Sequence, residues 1–193
     1  MKVLAVVLAA GTGQRFGSTK MIANLAGRPL LQHVLDAAAE AGLADVVVVL
    51  GDEAAAIRLG VAWRTERIEV NPRPMDGLSS SLRIGLDAAA EDRTVDAVLV
   101  LLGDQPSVRP AVIAAVLAAA ETAPEPIVRA RYADDGAPNP VLVRRGAWSL
   151  AAGLSGDRGL GPLLVQRSDL VAEVAVPGDN PDVDRPEDLA RVH

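Results

Sequence analysis

The chain has 193 residues, half of them apolar and 23% charged, a balance that suits one compact domain over 1–193 and excludes a disordered chain. A formal net charge of −6 argues against broad nucleic-acid binding, and 2% aromatic residues leave little for base-stacking platforms. With no cysteine, disulfides and thiolate metal sites are both excluded.

The first apolar run, Val3 to Leu8, is too short to span a membrane and leads into glycines, not into a signal-peptide cleavage pattern. A cytoplasmic protein without membrane partners is expected. The run reads as a buried parallel strand ending before Gly11. Pro29 to Ala41 carries Leu30, Leu31, Val34, Leu35 and Ala38 at helical spacing, with Pro29 in the first turn and Gly42 as the stop. Val46 to Leu50 is the next strand, and Arg67 to Val70 a short third. Leu78 to Ala90 reads as a helix opened by Ser79, Ser80 and Ser81. Ala97 to Leu102 is an apolar strand stopped by Gly103-Asp104, and Pro110 to Glu121 a proline-opened helix. Pro126 to Tyr132 and Pro140 to Val143 form two strands around the turn Asp134-Asp135-Gly136. Short helices near Trp148 and over Leu160 to Gln166, a strand from Leu170 to Val176, and a last helix from Pro186 to Val192 complete the chain. Strands alternating with helices imply an α/β fold with a mostly parallel sheet covered on both faces and right-handed crossovers.

The segment after the first strand, Gly11-Thr12-Gly13-Gln14-Arg15-Phe16-Gly17-Ser18-Thr19-Lys20, places glycines and two cations where α/β sheets bind ligands. Backbone N–H groups and the charges of Arg15 and Lys20 suit a triphosphate. The spacing fits neither the dinucleotide fingerprint nor the P-loop, and a plain strand-to-helix turn would not require two cations. Asp104, at the end of the central strand, is a suitable hard ligand for Mg²⁺, and equally suits the turn before Pro106. In the acidic run Asp182-Val183-Asp184-Arg185-Pro186-Glu187-Asp188, Asp184 suits the cap region of the last helix, while Asp182 is less easily explained by capping. Asn71 precedes a polar loop and a helix N-terminus that favours anions, and its amide suits a base edge. His33 reads as a helix residue. Without a second internal histidine or any cysteine, a triad hydrolase is hard to build.

Taken together, Leu8-Ala9-Ala10-Gly11-x-Gly13-x-Arg15-x-Gly17-x-x-Lys20, Gly103-Asp104-Gln105-Pro106 and the segment from Asp182 to Leu189 resemble the MobA-like NTP transferases. Gly77 to Leu82 and Gly156-Asp157-Arg158-Gly159 look most like their molybdenum cofactor cytidylyltransferase branch. The resemblance implies a three-layer α/β/α Rossmann-like fold with a mixed, mostly parallel sheet. It implies Arg15, Lys20 and Asp104 as the catalytic set. Gly11, Gly13, Arg15 and Lys20 would hold the triphosphate, and Asn71 and Ser80 would lie near the nucleoside. Leu8, Ala9, Ala10, Gly77, Ser79 and Gly103 complete the implied nucleotide set. Asp104 would bind Mg²⁺, for which Mn²⁺ substitutes, with Asp182 or Asp184 as second ligand. Asn139, Asp157 and Arg158 fall on the acceptor side, where Asn139 departs from the family's His before Pro140.

The implied reaction transfers CMP from CTP to the phosphate of a phosphorylated pterin, molybdopterin, and releases pyrophosphate. A phosphate monoester is largely dianionic at neutral pH and needs no general base, which fits a chain without a catalytic histidine. GTP with molybdopterin, or a sugar 1-phosphate acceptor, would use the same chemistry. A nucleotide- or cofactor-binding chaperone module is the non-enzyme alternative. A molybdoenzyme, or its chaperone, is the partner the resemblance implies.

Overall fold

The computed structural model describes the chain except residues 12, 14, 15, 18, 134–136, 158 and 193. In chain order it forms β1 (Val3–Ala9), a two-residue ribbon of β2 (Asn24–Leu25) and β3 (Arg28–Pro29), α1 (Leu30–Glu40), β4 (Val46–Leu50), α2 (Ala54–Gly60), β5 (Arg67–Val70), α3 (Leu78–Ala90) and β6 (Ala97–Leu102). There follow α4 (Pro110–Thr122), β7 (Ile127–Tyr132), β8 (Val141–Arg144), α5 (Trp148–Ala152), α6 (Gly161–Gln166) and β9 (Val171–Val176). The main sheet runs β5-β4-β1-β6-β8-β7-β9. β1 pairs in parallel with β4 and β6, and β4 with β5. β8 runs antiparallel to both β6 and β7, and β9 is parallel to β7. This is the mixed, mostly parallel sheet expected from the sequence.

The continuous apolar runs of β1 and β6 follow from burial on both faces. Val7, Ala9, Leu99 and Leu101 meet α1, α2 and α4 on one side. Leu4, Val6, Leu8, Val98 and Val100 meet α3, α5 and α6 on the other. The period-2 alternation of strand side chains divides the valines and leucines between two cores and yields three layers.

Three features differ from the sequence reading, and a fourth is not tested. Pro29 is the residue before α1, extended and paired with Asn24. Its lack of an N–H suits it to the ribbon's edge as well as to a first turn. The helix Ala54–Gly60 was not expected; its apolar signal is a single buried residue, Ile57. The last helix is a 3₁₀ turn over Pro186–Ala190, too short for an apolar face. The expected turn at Asp134-Asp135-Gly136 lies outside the described residues.

The crossovers also depart from one-handedness. α1 and α2 carry the chain outward across one face, and α3 brings it back across the other, so these three connections share one hand. α4 lies on the face of α1 yet carries the chain the opposite way along the sheet, so β6-α4-β7 has the opposite hand. The right-handed rule describes a strand feeding a parallel strand across a helix. β6 and β7 are parallel to each other across the intervening antiparallel β8, so this connection is an exception to that rule.

α3 packs against the sheet with Gly85 facing Val6, and a methyl group at that position would collide with the valine side chain. Gly85→Ala is expected to cost about 1–3 kcal/mol by overpacking. Urea unfolding measures it, and Val6→Ala in the same chain should recover part of the loss.

Candidate active site

Three segments meet at the carboxyl edge of β1 and β6. Beyond β1 the chain passes through Ala10, Gly11 and Gly13 to a 3₁₀ turn at Lys20–Ile22, where the buried Met21 anchors it in the core. Beyond β6, the Gly103 N–H donates to the Leu8 carbonyl at 2.9 Å, extending the β1–β6 ladder by one residue. A side chain at Gly103 would lie 2.9 Å from the Ala9 Cβ, so only glycine lets the strand end this close to the loop. Asp104 follows at once.

The third segment is held by one backbone bond and a small core. The Val183 N–H donates to the Asp104 carbonyl at 2.9 Å. The Val183 side chain is buried with Phe16 of the glycine loop, Leu30 and Val192. The lone apolar residue between Asp182 and Asp184 thus pins both carboxylates beside β6.

Lys20 is only 5% exposed. Its Nζ donates to Asp104 Oδ2 at 2.7 Å and lies 3.4 Å from Asp184 Oδ1. Burial pulls the Lys20 ammonium downward, but the attraction of Asp104 and Asp184 outweighs it and holds the group above its ordinary value. Lys20 is therefore a charged ammonium at neutral pH. Asp182 is turned toward Gln105, whose Nε2 donates to Asp182 Oδ1 at 2.7 Å. Burial and the like charge of Asp104 push the Asp182 carboxyl up. The cap role considered for Asp184 falls instead to Asp188, whose Oδ2 accepts the N–H groups of Asp184 and Arg185 at 3.0 and 2.8 Å. The Asp184 side chain faces the cleft.

That cleft has a volume of about 460 Å³. Of the residues singled out in the sequence, Ala10, Gly11, Gly13, Lys20, Gly77, Asp104, Asp157 and Asp184 line it. Pro74, Met75, Leu78 and Ser81 line it as well. Pro74, Met75 and Leu78 were missed because a proline and a methionine in a loop and a leucine opening α3 carry no chemical signal, whereas Ser81 stood in the serine run noted at the start of that helix. Leu8 and Ala9 are buried strand residues, one in each core. The Asn71 amide donates to Ser80 Oγ at 2.7 Å and Ser81 Oγ at 2.9 Å, and its carbonyl accepts the Arg73 N–H. Ser80 Oγ donates to the Gly77 carbonyl at 2.7 Å. Asn71 and Ser80 thereby fix the loop beneath the cleft. Ser79 is fully buried, and its N–H donates to the Gly156 carbonyl at 3.1 Å. Asn139 lines a smaller, mostly apolar pocket of about 120 Å³ with Leu8, Leu82, Leu160 and Leu164, and Leu78 forms the shared wall with the cleft. Arg15 and Arg158 lie outside the described residues.

A divalent cation fits this donor set in a particular way. Among the described residues no three His, Cys, Asp or Glu side chains could hold a metal by themselves. Asp104 and Asp184 already bracket one cation, the Lys20 ammonium. Mg²⁺ is commonly bound by one or two carboxylates together with substrate phosphates and water, which this pair can support. No described helix is long and apolar enough to cross a membrane.

The model for the MobA-like NTP transferase domain matches residues 5–171. The chain belongs to this family. It is thus a member of a nucleotidyltransferase family, and residues 5–171 include the glycine loop and Asp104. Among solved structures, Rv0371c from Mycobacterium tuberculosis H37Rv superposes with a TM-score of 0.87 at 30% identity, covering 99% of this chain and 96% of that one. The same protein in complex with manganese gives 0.85 at 29% identity, covering 100% and 98%. A CMP:2-keto-3-deoxy-manno-octonic acid synthetase complexed with CTP shares the fold, with a TM-score of 0.73 at 18% identity over 99% and 96% of the chains. Among curated sequences, the bifunctional protein GlmU of Sorangium cellulosum is 40% identical over 114 residues, which is 55% of this chain and 24% of that protein. The GlmU of Bordetella petrii is 36% identical over 107 residues, 54% and 24%. The chain spans about a quarter of the length of these relatives.

Because Val183 joins the glycine loop to the acidic segment, Val183→Ala should loosen that segment before the sheet. Hydrogen exchange is expected to accelerate over residues 180–192 while β1 and β6 remain protected.

Proposed function

We propose that this protein is a Mg²⁺-dependent nucleotidyltransferase that transfers CMP from CTP to the phosphate of a phosphorylated pterin, molybdopterin, with release of pyrophosphate. The observation that carries the reading is the buried Lys20 ammonium held against Asp104 and Asp184 at the mouth of a glycine-rich loop. A charged lysine and two carboxylates beside open backbone turns are what a metal–triphosphate substrate requires.

The acceptor phosphate oxygen attacks the α-phosphorus. A new phosphorus–oxygen bond forms, the bond from the α-phosphorus to the α,β-bridging oxygen breaks, and pyrophosphate leaves with that electron pair. Lys20 stabilises charge as it moves toward the pyrophosphate, and Gly11 and Gly13 allow the backbone to approach the phosphates. Asp104 and Asp184 would hold the metal, which when bound neutralises phosphate oxygens. Gly77 and Ser81 line the cleft and would border the nucleoside, where Asn71 and Ser80 keep the loop in shape. Asp157 lines the same cleft and would border the acceptor. The pocket beside Asn139 adjoins the cleft through Leu78, next to where the acceptor would bind. Arg15 and Arg158 would add positive charge to the two phosphate groups. The place of action is the cytoplasm, and the product would pass to a molybdoenzyme or its chaperone.

Pyrophosphate release tests the reading with each of the four NTPs, Mg²⁺ and molybdopterin carrying its molybdenum. Release with CTP is the expected result. Release with GTP alone would move the protein to the guanylyl branch, and release only with sugar 1-phosphates would replace the acceptor. Nucleotide binding without release under any condition would favour the binding-module alternative.

Lys20→Ala is expected to lower turnover by roughly 10²–10³-fold, the usual loss when one charge-stabilising donor is removed, while circular dichroism shows a folded protein. Asp104→Asn, or chelation of the metal, should abolish pyrophosphate release.

A further inference from the structure

The residue after Asp104 is buried and polar, and the reaction as described leaves it without a role. Gln105 is 1% exposed and Asn180 is fully buried. Both ends of the Gln105 amide are committed. Its Oε1 accepts from Asn180 Nδ2 at 3.1 Å, and its Nε2 donates to Asp182 Oδ1 at 2.7 Å. An amide with its carbonyl end already engaged presents only N–H to the carboxylate, so Asn180 fixes the sense of the second bond. The backbone is fixed as well, since the Gln105 N–H donates to the Leu102 carbonyl and the Val108 N–H to the Gln105 carbonyl, both at 3.3 Å.

The partner, Asp182, lies within electrostatic reach of Asp104, Asp184 and Lys20. Three carboxylates therefore surround a single described ammonium, although they are too dispersed to chelate a metal by themselves. A buried amide pair that served packing alone would be replaceable by apolar residues of similar shape at little cost. This one instead aims a donor at a carboxylate whose like-charged neighbours repel it.

We propose that Gln105, locked by Asn180, is a positioning residue for the cation site: it holds the Asp182 carboxylate beside Asp104 so that a third negative group strengthens the field on a divalent metal. The proposal rests on the metal-dependent transferase reading and deepens it. Asp182 would act through its charge, while Asp104 and Asp184 would hold the metal. Residues that orient or support ligands in this way typically contribute 10–100-fold to metal affinity.

Mn²⁺ binding to the full chain without nucleotide, followed by electron paramagnetic resonance of free Mn²⁺, tests it apart from activity. Gln105→Leu is expected to weaken binding about 10–100-fold. Asp182→Asn, which leaves Gln105 and Asn180 in place, should show a similar loss, and the double variant should lose little more than either alone, because the two residues act as one unit. The melting temperature of the metal-free variants separates this role from a purely structural one: it should fall far less for Asp182→Asn than for Gln105→Leu, although both bind Mn²⁺ weakly. Wild-type affinity in Asp182→Asn, or losses that add in the double variant, would overturn the proposal. Asp104→Asn is the control for the underlying reading. If it binds Mn²⁺ as the wild type does, the metal centre itself is misassigned. If it loses binding while Gln105→Leu and Asp182→Asn retain it, only the positioning role fails.

Discussion

Because β1 is hydrogen-bonded in parallel to β4 on one side and β6 on the other, the chain leaves the sheet at the same edge after each of these strands. The β1–β6 pairing matters most. It runs from Val3 opposite Ala97 to Leu8 opposite Leu102 without a break, and the Gly103 bond to Leu8 carries it one step further. That register decides that a glycine-rich loop and an aspartate emerge side by side. A slip of one residue would exchange the two core faces of β6 and turn Asp104 away. The apolar uniformity of both strands, buried on two sides, thus supports a site made almost wholly of polar loops.

The electrostatics of that site are set by what lies beneath it. Lys20 would not remain charged over an apolar core without a counter-charge, and Asp104 supplies one at hydrogen-bond distance. Asp184 reaches the same ammonium, while Asp188 satisfies the backbone N–H groups of Asp184 and Arg185. Val183 holds the acidic segment against β6 by one backbone bond and one buried side chain. The polar chemistry is positioned by apolar contacts a single residue away in sequence.

Much of this was legible in the sequence, for identifiable reasons. β1, β4 and β6 announce themselves as apolar runs ended by glycine, and α3 by its helical spacing after three serines. Asp104 stands out as an acid at the end of a buried strand. Other parts were not legible. Ala54–Gly60 buries one side chain, too few for a periodic signal. The hand of the β6-α4-β7 connection follows from α4 packing on the face of α1, which no local pattern encodes. Asn71 offered an amide suited to a base, and only the fold shows that Ser80, Ser81 and Arg73 consume it. Gln105 and Asn180 are ordinary polar residues until the sheet buries them together.

Gly77 has a backbone φ of 91°, and any side chain there would lie 2.5 Å from the Gly156 carbonyl carbon and 2.8 Å from the Asp157 nitrogen. The loop proposed to border the nucleoside and the loop proposed to border the acceptor are therefore in backbone contact, tied further by the Ser79 bond to Gly156. Neither wall can be reshaped alone. A lineage that changed its choice of base through the first loop would disturb the second, and one that recruited a new acceptor would shift the first. Donor and acceptor preference in such a scaffold should diverge together, and a laboratory effort to swap one substrate would do best to transplant both loops as a pair.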